Sequence, residues 1–81
     1  MKLRVRLFAV ARQLAGADEV TLYVPEPCTA NELRQALSHQ VPALEAVLPQ
    51  IRLAVDSDYV RGDAVIPPEA EVACIPPVSG G

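Results

Sequence analysis

Two segments near the start of the chain alternate polar and apolar residues with a period of two, and one capped helix follows them. In Lys2-Leu3-Arg4-Val5-Arg6-Leu7 the residues Leu3, Val5 and Leu7 share a side, as do Val20, Leu22 and Val24 in Glu19-Val20-Thr21-Leu22-Tyr23-Val24. Period two marks a strand with one face on a core. The connection between the two is short enough for them to pair antiparallel. Within it, Phe8 to Ala15 reads as a short helix with Arg12 on its polar side, and Gly16 stands where a glycine ends a helix. Pro25 and Pro27 close the second strand. Thr29-Ala30-Asn31-Glu32 then fits a capping box, in which the Thr29 hydroxyl accepts from the Glu32 amide and the Glu32 side chain reaches back.

The helix opened by Thr29 carries Leu33, Ala36 and Leu37 on one face and should end near His39, ahead of Val41-Pro42. Pro42 opens a short second helical segment holding Leu44, Val47 and Leu48. Ile51 to Val55 reads as a buried strand, Asp56-Ser57-Asp58 as a turn and Tyr59-Val60 as a brief return strand. Arg61-Gly62-Asp63 and Pro67-Pro68-Glu69 are further turns, and Glu71 to Ile75 is the last strand. Pro76-Pro77 donates no backbone hydrogen bonds and so leaves the sheet. This order predicts an α+β fold, the β-grasp or ubiquitin-like arrangement. One main helix lies across a small mixed sheet, with the first and last strands as parallel neighbours at its centre. Residues 1–75 form the domain and residues 76–81 an extended C-terminal tail.

At 81 residues there is room for one domain. A chain of this size buries only roughly 60–65% of its unfolded surface, so a deep cavity would remove core it cannot spare. That favours a carrier or binding module over a self-contained enzyme. The formal charge is -3, Lys2 is the single lysine, and the arginines are scattered. This is not the footprint of a nucleic-acid binder, and the scarcity of aromatics removes a base-stacking platform. The start carries no signal-like segment and no long apolar run follows, so neither secretion nor a membrane is indicated. Cys28 and Cys74 match no metal spacing and read as reduced thiols in a cytoplasmic protein. Cys74 is expected in the core and Cys28, in a proline-bounded loop, at the surface.

His39 is the sole histidine, so no nucleophilic triad or metal cluster can be assembled around it. Asp56 and Asp58 suit solvated turn positions better than an acid–base pair. The remaining chemistry lies at the end, in Val78-Ser79-Gly80-Gly81. Neither glycine has a Cβ, so the pair can thread a narrow channel and present the Gly81 carboxylate. The plain alternative is an ordinary frayed terminus.

Several segments together resemble the molybdopterin synthase small-subunit (MoaD) family. The ending Glu71 to Gly81, with its Pro76-Pro77-Val78-Ser79-Gly80-Gly81, carries the resemblance most specifically. Leu7 to Gly16 is similar to that family's "LFA…R…L.G" opening, Ala54 to Val60 to its "AVN..YV" hairpin, and the capped helix after Pro27 to its "T..EL...L" helix. Asp56 replaces the usual asparagine, and Pro67-Pro68-Glu69-Ala70 replaces a "DGDE"-like turn. The resemblance implies a non-catalytic, sulfur-donating subunit of a sulfurtransferase complex. The Gly81 carboxylate would be adenylated with ATP by a ubiquitin-activating-like adenylyltransferase and given sulfur by a sulfurtransferase. The resulting thiocarboxylate would donate to cyclic pyranopterin monophosphate in the large subunit, in a heterotetramer of two small and two large chains. Gly81 and Gly80 would be the reacting end and its access, and Pro76, Pro77, Val78 and Ser79 the guide through the partner's channel. Phe8, Arg12, Tyr59 and Ile75 match positions that face partners, with core positions as the alternative for Phe8 and Ile75. A carrier for another pathway, such as thiamin thiazole formation, a ubiquitin-like modifier joined to lysines through Gly81, and a plain interaction domain remain as rivals.

Overall fold

In a computed structural model of the chain, residues 1–77 are described. Strand β1 (Lys2–Leu7) buries every second residue, and it pairs antiparallel with β2 (Glu19–Tyr23) from Lys2↔Tyr23 to Arg6↔Glu19. Between them runs α1 (Ala9–Ala15). Gly16 ends it with φ 71°, its N–H donating to the Arg12 carbonyl at 2.9 Å. The helix starts one residue later than the sequence suggests. Phe8 keeps extended backbone, φ −127° and ψ 152°, and so continues the alternation of β1. Its side chain therefore falls on the same outer side as Arg4 and Arg6.

The main helix, α2 (Ala30–Gln40), opens with the full capping box. Thr29 Oγ1 accepts from the Glu32 N–H at 3.2 Å, and the Thr29 N–H donates to Glu32 Oε1 at 3.0 Å. Leu33 and Leu37 are fully buried, with Ala36 packed beside them. The expected second helical segment is instead two 3₁₀ turns, Pro42–Leu44 and Leu48–Gln50, each with a proline in its first two positions. Arg34 locks this connection to α2. Its Nη1 donates to the carbonyls of Leu48 at 2.6 Å and Ile51 at 2.7 Å. Gln40 covers part of the β2 edge: it accepts from the Tyr23 N–H at 3.1 Å and donates to the Tyr23 carbonyl at 2.8 Å.

Strands β3 (Arg52–Val55), β4 (Asp58–Tyr59) and β5 (Val72–Ile75) complete a five-stranded sheet of order β2-β1-β5-β3-β4. β5 lies at the centre, parallel to β1 and antiparallel to β3. The β3–β4 turn contains only Asp56 and Ser57, with φ of 49° and 73°. Positive φ at both central residues is the mark of a type I′ hairpin turn, whose twist matches the flanking strands. The tight turn places Asp58 opposite Val55, so the return strand is Asp58–Tyr59 and not Tyr59–Val60. Asp56 also ties the hairpin to the start of β5, because its Oδ1 accepts from the Glu71 N–H at 3.0 Å.

The inner sheet residues Leu3, Val5, Leu7, Leu22, Leu53, Val72 and Cys74 share one core with Leu33, Leu37, Leu44, Leu48 and Ile66. Cys28 belongs to that core too, contrary to the surface position its loop suggests. The cause is a second chain segment. Thr29 bridges Val65, and the Ile66 N–H donates to the Cys28 carbonyl at 2.8 Å, which turns the Cys28 side chain inward. Among the described residues no helix is long and apolar enough to cross a membrane. Truncating the fully buried Leu53 to alanine should cost about 2–5 kcal/mol, and Thr29→Ala about 1 kcal/mol. Both are read from urea unfolding midpoints, and the smaller loss belongs to the cap.

Candidate functional site

The sheet has one covered and one open face, and its register decides what stands on the open one. Glu19, Arg6, Ala73, Ala54 and Tyr59 form one row across all five strands. Ile75 and Arg52 are opposite each other in the next row of β5 and β3. A shallow groove runs over this area, lined among others by Phe8, Tyr59, Ala73 and Ile75. Phe8 is 41% exposed and Tyr59 53% exposed, which removes Phe8 from the core; Ile75 is half-buried. Three of the four residues picked out by sequence thus come together where β5 runs out into the tail. Arg12 does not join them. It lies on α1, outside the groove lining, with Nη1 at 3.6 Å from Asp18.

Two arginines that sequence reasoning left among the scattered charges frame the groove. The Arg6 guanidinium carbon lies 5.5 Å from the centre of the Phe8 ring, and that of Arg52 lies 4.0 Å from the centre of the Tyr59 ring. Such stacking is worth about 0.5–1 kcal/mol at exposed sites. Arg6 also meets Glu71 at 3.2 Å. Alternation alone puts Arg6 on the outer side of β1. Its place beside Ala73 follows from strand register, which no local pattern reveals.

Pro76 and Pro77 follow β5 at the edge of this face, Pro76 half-buried and Pro77 exposed. Val78, Ser79, Gly80 and Gly81 lie outside the described residues. The turn at Pro67-Pro68-Glu69-Ala70 closes with the Ala70 N–H donating to the Pro67 carbonyl at 3.3 Å, Glu69 taking φ 64°. His39, Asp56 and Asp58 are exposed, and among the described residues no three His, Cys, Asp or Glu side chains gather to hold a metal ion.

The two free thiols are withdrawn from this surface. Burial pushes the Cys74 thiol up to about 12, a rise that the Arg34 charge only partly offsets. The Cys28 thiol is likewise raised, first by burial and then by the negative charge of Glu32, with the N-terminal charge acting the other way. A thiol must ionise to attack or exchange sulfur, so burial and the raised pKa both act against either thiol as a nucleophile at neutral pH.

The ThiS family matches residues 5–81. The chain belongs to the ThiS family. Among similar proteins, the molybdopterin synthase sulfur carrier subunit of Arabidopsis thaliana is 36% identical, over 100% of this chain and 84% of its own length. The subunit of the same name from Homo sapiens is also 36% identical, over 99% of this chain and 94% of its own. The crystal structure of small archaeal modifier protein 1 from Haloferax volcanii superposes with a TM-score of 0.87, at 27% identity and with 100% of both chains covered. These similarities place the chain among the molybdopterin synthase sulfur carrier subunits on the ThiS-family β-grasp fold.

Burial of the thiols has a measurable consequence. Ellman's reagent should leave both cysteines unmodified in the native chain and titrate both in guanidinium. The Cys74 thiol has a folded pKa above its unfolded one, so the folded chain holds that proton longer. Its contribution to stability is complete below the ordinary thiol pKa and is lost as pH rises from there toward about 12. Urea midpoints measured at pH 7.5 and 10.5 should fall with pH, and fall less in Cys74→Ala.

Proposed function

We propose that this chain is the sulfur carrier subunit of molybdopterin synthase in molybdenum cofactor biosynthesis, with the Gly81 carboxylate as its working group. The observation that carries this reading is full-length similarity to curated carrier subunits in a chain whose last residues are Pro76-Pro77-Val78-Ser79-Gly80-Gly81. A terminal carboxyl has a pKa near ~3.5 and is ionised at neutral pH. As a carboxylate it is a poor electrophile with no good leaving group. An oxygen of Gly81 attacks the α-phosphorus of ATP in an adenylyltransferase, pyrophosphate departs, and a mixed anhydride forms. A persulfide sulfur from a sulfurtransferase then attacks the carbonyl carbon and expels AMP. A thiol reductant cleaves the resulting acyl disulfide and releases the Gly81 thiocarboxylate. Each step is easier than direct exchange of oxygen for sulfur, the logic of covalent catalysis. In the large subunit the thiocarboxylate sulfur attacks a carbon of cyclic pyranopterin monophosphate and displaces the oxygen substituent there, and water then cleaves the acyl–sulfur bond, leaving the sulfur on the pterin and restoring the Gly81 carboxylate.

The tail and the groove divide the work. From Pro76 to Gly81, at about 3.1–3.3 Å per residue, the tail reaches roughly 19 Å. Ordering a free chain costs about 1–2 kcal/mol per residue, and the fixed φ of Pro76 and Pro77 lowers that cost. Gly80 and Gly81 pass where a Cβ would meet a channel wall, with Val78 and Ser79 leading to them. Because the reach is short, a partner that takes the tail must sit close to Ile75, Phe8 and Tyr59. An exposed aromatic cluster of this kind is typical of interface centres. Arg12, one face away, serves a contact on the α1 side. The complex is read as two small and two large chains, acting in the cytoplasm.

A second reading has one observation in its favour, the likeness to a small archaeal modifier protein: the activated Gly81 carbonyl could be passed to a lysine amine. Both readings share the adenylate and part at the acceptor.

Intact mass after incubation with ATP, the adenylyltransferase and a sulfur source should rise by one oxygen exchanged for sulfur, and not rise in a chain lacking Gly81. No gain, with enzymes active on another carrier, would sink the sulfur reading. Amide-linked conjugates of higher mass in cell extract would favour the modifier.

A further inference from the structure

The open face of the sheet runs against the charge of the molecule. The chain as a whole carries a formal charge of -3. Yet Lys2, Arg4 and Arg6 alternate along the exposed side of β1, and Arg52 stands on the same face of β3. Glu19 lies 3.9 Å from Arg4, and Glu71 lies 3.2 Å from Arg6. Arg52, like Lys2, has no carboxylate within ion-pair distance among the described residues. What it has instead is the ring of Tyr59, 4.0 Å from its guanidinium carbon.

That pairing is a preorganised donor. A guanidinium lying on an aromatic face keeps its in-plane N–H groups free, and its rotamer freedom is already reduced before anything binds. The free fork matches a carboxylate with two parallel hydrogen bonds. Its location matters as much. Arg52 is directly opposite Ile75, the last residue of β5, with Pro76 next. Directly opposed residues have Cβ atoms only about 4.5–5.5 Å apart. A protein that draws in the tail therefore covers Arg52 or seats against it. A partner with no acceptor there would leave a guanidinium desolvated and unpaired, which disfavours it.

We propose that Arg52, braced on the ring of Tyr59, is a specificity-determining cation of the tail-side interface and that the docking face of the partner sets a carboxylate against it. The partner is a protein with an acidic rim around an apolar centre, the centre meeting Phe8, Ala73 and Ile75. This rests on the carrier reading, and the partner in question is the large synthase subunit. Tyr59 is a positioning residue: it sets the plane of the guanidinium.

The test is titration calorimetry of the large subunit against wild type, Arg52→Gln, Arg52→Glu and Arg61→Gln, at low and high salt. Arg61 lies 3.9 Å from Asp63, in the turn held against the start of α2, and is the control. Arg52→Gln should bind about tenfold more weakly, Arg52→Glu more weakly still, and Arg61→Gln like wild type. The dependence of affinity on salt should be flatter in Arg52→Gln, because one screened attraction is gone; lost packing alone would not change that slope. Wild-type affinity and an unchanged salt slope in both Arg52 variants would overturn the inference and leave the carrier reading standing. No binding by wild type itself would overturn the carrier reading, and this inference with it.

Discussion

The pairing of the first strand with the last organises this molecule. β5 enters between β1 and β3 and has a hydrogen-bonded partner on each side. Its alternation then separates two roles within four residues. Val72 and Cys74 turn inward to the core, and Ala73 and Ile75 turn outward to the groove. Since a strand's faces cannot be exchanged without a register slip, the core and the docking surface specify each other. The tail leaves from the end of the same strand. A single central strand thus fixes the core, the floor of the groove and the point at which the chain leaves the sheet through Pro76 and Pro77.

That arrangement suits a chain too small to enclose a reaction. The core uses most of the apolar side chains the sequence has, and the groove is an open surface between strands and not a cavity. A carrier needs no more than this. On the proposed reading its reacting group is a terminal carboxylate, inert until a partner activates it, and its structured part supplies a recognisable face beside the point where the chain leaves β5. The buried thiols fit the same division. Were Cys28 or Cys74 exposed and ionised beside an activated carbonyl, either could capture it. Both are buried, and their raised pKa values keep them protonated at neutral pH.

Strain and polar contacts are concentrated where the chain changes direction. Asp56 and Ser57 take positive φ so that the hairpin can turn in two residues. Aspartate tolerates this region better than most residues because its short polar side chain can hydrogen-bond locally; here its Oδ1 accepts from the Glu71 N–H of a distant segment. The aspartate that stands where the resembled family has asparagine therefore retains the turn, and its Oδ1 ties it to the residue before β5. Arg34 and Gln40 act similarly on backbone groups: Arg34 on the Leu48 and Ile51 carbonyls, Gln40 on the outer N–H and carbonyl of Tyr23.

Much of this was legible from one dimension. The alternation in β1 and β2, the Thr29–Glu32 box and Gly16 are local signals, each carried by residues within one turn or one strand, and each appears in the structure as the sequence predicts. The element order led from these to the β-grasp topology, and the Gly80-Gly81 ending to a carrier. What the sequence could not supply was anything that depends on which residues meet across strands. Phe8 left the helix because the extended backbone of β1 runs one residue further. Cys28 turned inward because Val65 and Ile66, far along the chain, hold its loop. Arg52 meets Tyr59, and both meet the root of the tail, only through the β3–β4 turn and the β3–β5 register. Local pattern determines whether a residue faces in or out; tertiary packing alone decides its neighbours, because contacts between distant segments are set by register and not by spacing.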